Sequence, residues 1–213
     1  MADEARVREE ICRTGESLYR RGYTVGTAGN ISARLDDGFL ITPTDACLGF
    51  LEASRLARLD ARGEQVSGDR ASKTILLHRA IYDARPDAGG VVHTHSTNLV
   101  ALTMLPDVDR TDVLPPITPY HVMKVGHVPM IPYRRPGDPE VIDLVVAHAP
   151  RVRAVLLERL GPVVWNDSVS NACFALEELE ETAKLWLMLR AHPPAGLDAA
   201  RIEEIRRTFK VEY

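Results

Sequence analysis

Apolar residues recur every three to four positions over 4–22, where Val7, Ile11, Leu18 and Tyr19 are separated by Arg and Glu. That period predicts an amphipathic helix, with Gly22 as its stop. The pattern then shortens. "NISARL" and "FLITP" read as strands joined by a hairpin at "DDG", and "SRLARLDARGEQVSG" reads as a second strand pair turning at "ARGE". A helix is predicted from Ala71 to Ala84, carrying Ile75, Leu76, His78, Ala80 and Tyr82, before the turn "RPDAGG". "GVVHTH" follows as a short strand, and "STNLVALTML" as a helix capped by Ser96 or Thr97.

Prolines crowd 106–136 and argue against long regular elements there. "DPEVIDLVVAHAP" reads as a helix with Pro139 in its first turn. "RAVLLERLGPVVW" reads as two buried strands broken at "LGP". Apolar residues at 172, 176, 179, 183 and 187 predict a long helix from Ser168 to Leu189, and the tail holds one more short helix. No repeat or composition break marks a linker, so 1–213 is read as a single α/β domain of short strands covered by helices.

The chain has 213 residues and a net charge of −4. Without a basic excess, nucleic acid is not an expected partner. Cys12, Cys47 and Cys173 are odd in number and far apart, so neither a disulfide framework nor a zinc knuckle is expected. The N-terminus has no apolar core of a signal peptide, and no long apolar run suggests a membrane span. A reducing cytoplasm is the expected setting.

The candidate chemistry centres on His93 and His95. Residues i and i+2 of a strand share a face, so "HTH" would present two imidazoles to one divalent metal ion. By itself the pattern fits two hydrogen-bonded histidines near a surface at least as well. A catalytic zinc also normally takes three protein ligands.

Longer motifs widen the picture. "GTAGNIS", "FLITPT", "SKTILLHRAIYDARPDAGGVVHTHST", "PYRRPGD" and "LEELEETAKL" stand in order from about residue 5 to 190. Together they resemble the class II aldolase/adducin superfamily, nearest its 3-oxo-tetronate 4-phosphate decarboxylases and more distantly fuculose-phosphate aldolase. The resemblance implies a three-layer α/β/α fold with a central, mainly antiparallel sheet. It implies a lyase acting through an enediolate on a small polyhydroxy keto acid or sugar derivative, in a homotetramer. It also implies a divalent metal, zinc first and manganese or iron next, held by three histidines. On that pattern His93 and His95 are the first two ligands. Gly29, Asn30, Thr44 and Ser72 hold the substrate's phosphate, and Lys73 binds an anionic group.

Three positions depart from the pattern. Thr74 stands where the family has its proton-shuttling glutamate, and a threonine hydroxyl does not ionise near neutrality. Leu160 stands where the third histidine belongs. Asp45 replaces a glycine beside the phosphate site, and its carboxylate would repel that phosphate unless a cation such as Lys73 offsets it. His121 and His127 are therefore expected as substitutes, either as a third ligand or, for His121, as a proton shuttle. Surface histidines on a proline-rich loop are the alternative for both. Glu158 is a further candidate carboxylate ligand, whereas His78 reads as a core residue and His148 and His192 as peripheral. Three functional readings follow: a metal-dependent lyase with diverged substrate or chemistry, a catalytically degenerate binding or assembly protein, and an iron oxygenase using a His/His/Glu set.

Overall fold

The Asp36-Asp37-Gly38 turn closes a hairpin between β1 (Asn30–Leu35) and β2 (Gly38–Ile41), with Leu35 opposite Gly38. In the computed structural model, which describes residues 3–211 and 213, this hairpin is the start of an eight-stranded sheet. The remaining strands are β3 (Ala57–Asp60), β4 (Gln65–Ser67), β5 (Gly90–His93), β6 (Met130–Ile131), β7 (Ala154–Leu157) and β8 (Gly161–Asn166). Their order is β4-β3-β2-β1-β5-β8-β7-β6, and only the β6–β7 pair is parallel. The mainly antiparallel sheet is as expected.

Strand alternation sorts the core into two halves. Val92, Leu156 and Val164 pack with α1 (Glu4–Arg20), α3 (Thr97–Leu102) and α6 (Val169–Met188). Val91, Val155, Val163 and Trp165 pack with α2 (Ile75–Ala84) and α5 (Glu140–Val146). The sheet is therefore covered on both faces, as a three-layer α/β/α domain.

Several boundaries differ from the sequence reading. α2 begins at Ile75 rather than Ala71, because Ala71 bridges Pro43 and the Ser72 N–H donates to the Thr42 carbonyl. The backbone of 71–72 is thus spent on the sheet, which brings Ser72 and Thr74 beside Thr44. Two 3-10 turns, Leu48–Phe50 and Ala53–Arg55, were not expected. The proline-rich segment contains α4 (Pro119–Lys124), started by Pro119 and by the Thr118 hydroxyl, which accepts from the His121 N–H at 3.1 Å. α7 (Ala199–Phe209) packs against α4. No helix among the described residues is long and apolar enough to cross a membrane.

Candidate active site

β1, β5 and β8 form the middle of the sheet, and their register puts Asn30 and Val163 on either side of His93. These residues face α2. A cavity of about 940 Å³ opens at this end of the strands, lined by Gly29, Asn30, Thr44, Asp45, Ser72, Lys73, Thr74, His93 and His95. Every residue expected at the substrate corner is there. The opposite wall is Pro132, Arg134–Pro139, Val141 and Ile142, contributed by the "PYRRPGD" motif and α5.

His93 is buried, and its Nδ1 donates to the Pro162 carbonyl at 2.7 Å. A carbonyl only accepts, so the ring proton sits on Nδ1 and Nε2 carries a lone pair. Burial, with the neighbouring His95, lowers the His93 pKa from 6.5 to about 4. Burial also lowers that of half-buried His95. The ring centroids are 5.1 Å apart and tilted by 60°. At neutral pH the pair therefore offers lone pairs and N–H groups, without positive charge.

Two glycines permit this arrangement. Gly29 has φ +87, and a Cβ there would stand 2.7 Å from the His93 carbonyl oxygen. Gly161 has φ +130, and a Cβ would stand 2.3 Å from the Thr94 carbonyl oxygen. Both backbones press against the histidine segment in conformations that L side chains rarely adopt. Leu160, immediately before Gly161, lines the cavity beside the pair.

The hydroxyls are only partly available. Thr44 already donates its proton to the Ala71 carbonyl at 2.8 Å, so it can accept from a ligand but not donate to one. Ser72 and Thr74 bond each other at 2.6 Å, which leaves one of their two protons free. Asn30 Oδ1 is buried without a partner. Asp45 is exposed at φ +57, a left-handed conformation that Asp tolerates better than most residues. No ion pair joins it to Lys73 among the described residues, so the expected compensation of its charge is not formed there.

The proposed substitutes for the third ligand do not reach the pair. His121 is fully buried on α4, with both ring nitrogens lacking partners, and lies outside the cavity lining. His127 also lies outside it; its Nδ1 bonds Asp112, and its ring packs 4.3 Å from that of Tyr213. The two histidines were expected near the metal because their segment resembles the family's wall, but α4 turns His121 inward toward the helical layer. Glu158 does line the cavity, yet its carboxylate is held by Arg110 at 2.7 Å and by the Tyr133 N–H at 2.9 Å. A His/His/Glu set is therefore not assembled. Among the described residues no group of three or more His, Cys, Asp or Glu could hold a metal ion. Two imidazoles and a leucine do not fit a three-histidine metal centre, and each chain supplies only two of its donors.

Sequence reasoning missed Glu180. Its buried carboxylate accepts from the Asn98 N–H (2.9 Å), the Asn98 side-chain amide (2.8 Å) and the Leu99 N–H (3.0 Å). The two backbone N–H groups belong to the first turn of α3, which begins two residues after His95, and Ser96 makes no side-chain cap. The signal was present: 180 lies on the same helical stripe as 176, 179 and 183.

Known families and proteins share this fold. Residues 9–187 match the family described as "Class II Aldolase and Adducin N-terminal domain". The chain is 60% identical to a 3-oxo-tetronate 4-phosphate decarboxylase from Cupriavidus necator, covering 100% of both chains. It is 31% identical to L-fuculose phosphate aldolase of Escherichia coli, covering 94% of this chain and 93% of the other. The crystal structure of YgbL from Escherichia coli superposes with a TM-score of 0.92 at 44% identity, covering 95% and 99% of the two chains.

Proposed function

Because this chain belongs to the class II aldolase and adducin family, we propose that it is a lyase that decarboxylates a small phosphorylated 3-keto sugar acid. The 3-oxo-tetronate 4-phosphate named for its 60% identical relative is the first candidate. Such a substrate is a β-keto acid. When the C1–C2 bond breaks and CO2 leaves, the electron pair moves into C2=C3 and onto the C3 oxygen, giving an enediolate. Protonation at C2 then gives dihydroxyacetone phosphate.

The cavity has groups suited to the phosphate, the C2 hydroxyl and the C3 carbonyl oxygen of that molecule. The Gly29-Asn30 corner and the free proton of the Ser72–Thr74 pair suit the phosphate. The His93 Nε2 lone pair suits the C2 hydroxyl, which would donate to it, and His95 can turn an N–H toward the carbonyl oxygen. The carrying observation is the Nδ1–Pro162 hydrogen bond, which fixes the His93 tautomer and leaves Nε2 open to the cavity. The test is incubation of the protein with 3-oxo-tetronate 4-phosphate, following CO2 release and triose phosphate formation. Binding without CO2 release rejects the lyase and supports a binding protein. That second reading is favoured by Thr74 and Leu160, which remove the family's base and third ligand. A homotetramer is the assembly proposed from the family resemblance, and sedimentation velocity measures it.

A further inference from the structure

If this chain decarboxylates a β-keto acid, something must stabilise the negative charge that develops on the C3 oxygen. The donor set, two imidazoles beside Leu160, does not build the expected metal centre. Three cationic side chains line the cavity: Lys73, Arg134 and Arg135. Arg134 is committed to Glu140 at 2.7 Å, and Arg135 is paired with Asp138 at 3.7 Å. Lys73 has neither an ion pair nor a side-chain hydrogen bond among the described residues. It is the one cavity cation there whose charge is not already answered by a carboxylate. It also sits between Ser72 and Thr74, in the bridge that leads into α2.

We propose that Lys73 is a catalytic residue that serves as the electrophile of this chain, its ammonium pairing with the C3 oxygen during loss of CO2, so that turnover needs no resident divalent ion. The proposal rests on the decarboxylase reading. In the step, the C1–C2 bond breaks and CO2 departs. The C3 oxygen takes the displaced π pair while hydrogen-bonded to the Lys73 ammonium. C2 then takes one proton from water. No oxidant or further co-reactant is consumed, and Lys73 ends the cycle protonated as it began.

The test uses the full-length protein purified without chelator. Three results are expected: metal analysis finds far less than stoichiometric zinc, manganese or iron; EDTA leaves kcat unchanged; and Leu160→His, which adds a third imidazole beside the pair, acquires stoichiometric zinc. Lys73→Met should lower kcat by about 10²–10³, with the affinity for inorganic phosphate unchanged. Lys73→Arg, which keeps the charge, should recover part of that loss. If Lys73 only holds the phosphate, Lys73→Met raises KM and weakens phosphate binding while kcat stays, and the catalytic role is overturned. If EDTA abolishes turnover and zinc or manganese restores it, metal independence is overturned while the decarboxylase reading stands. If the keto acid binds but no variant or metal yields CO2, the decarboxylase reading falls, and the Lys73 step with it.

Discussion

This protein carries two pairs of histidines that look alike in sequence and end in different chemistry. His93 ends a central strand, where pairing to β1 and β8 on both sides fixes its position, and His95 follows just past the strand end rather than within it, where the two-residue spacing predicts it. His121 and His127 lie in a proline-rich segment. One is buried by a single turn of helix, and the other bonds Asp112 away from the cavity. Chemical type therefore says little about a histidine's role until the backbone that holds it is known. A strand in mid-sheet aims its side chains by register, whereas a loop aims them by whichever cap or contact happens to win.

The largest effect should come from the strand pair. His93→Ala is expected to cut turnover by about 10²–10⁴, with the fold retained by circular dichroism; unchanged kcat would put the chemistry elsewhere. Gly161→Ala comes next. A Cβ against the Thr94 carbonyl, at φ +130, should destabilise the protein by about 3 kcal/mol, measured by urea unfolding.

The third prediction concerns pH and the other pair. Burial lowers the His121 pKa from 6.5 to about 4. The unfolded chain therefore binds a proton that the folded one refuses, and stability falls as pH drops from about 6.5 toward 4. His121→Leu should remove about 2–3 kcal/mol of that loss and leave turnover at pH 7.5 unchanged. Buried His93 and His78, lowered by burial to about 4 and about 3, keep the rest of the slope. A wild-type acid slope in the variant would show that His121 is not the buried neutral group described here. Smallest of all, His127→Ala should cost no more than about 1 kcal/mol, as expected for a half-exposed ion pair, with kcat/KM intact. A large loss of kcat/KM would mean that His127 serves a site completed by another chain.

The legible parts of the sequence follow the same division. The hairpin at Asp36-Asp37-Gly38, the strand ending at His93 and the long helix ending near Leu189 all showed in their periods and turn residues, although the strand stops short of His95. So did the gathering of Gly29, Asn30, Thr44 and Ser72 along one cavity, once the motifs were taken together. The start of α2 was missed because a bridge between Pro43 and Ala71 overrides helical spacing, and such a long-range contact leaves no local mark. His121 was misplaced because the proline count suppressed α4, although Thr-Pro is itself a helix start. Thr44 was expected to help hold the phosphate, but its proton is taken by a carbonyl 27 residues away.

The bond from Glu180 to Asn98 and Leu99 carries a consequence for biosynthesis. A ribosome makes the histidine strand early, yet the helix behind it cannot be secured until the chain has grown past residue 180. A nascent or truncated polypeptide ending before that point would keep His93 between β1 and β8 but leave the start of α3, two residues after His95, without its carboxylate partner. Maturation of this pocket would then wait for α6 to be made, and not only for the strand that carries His93.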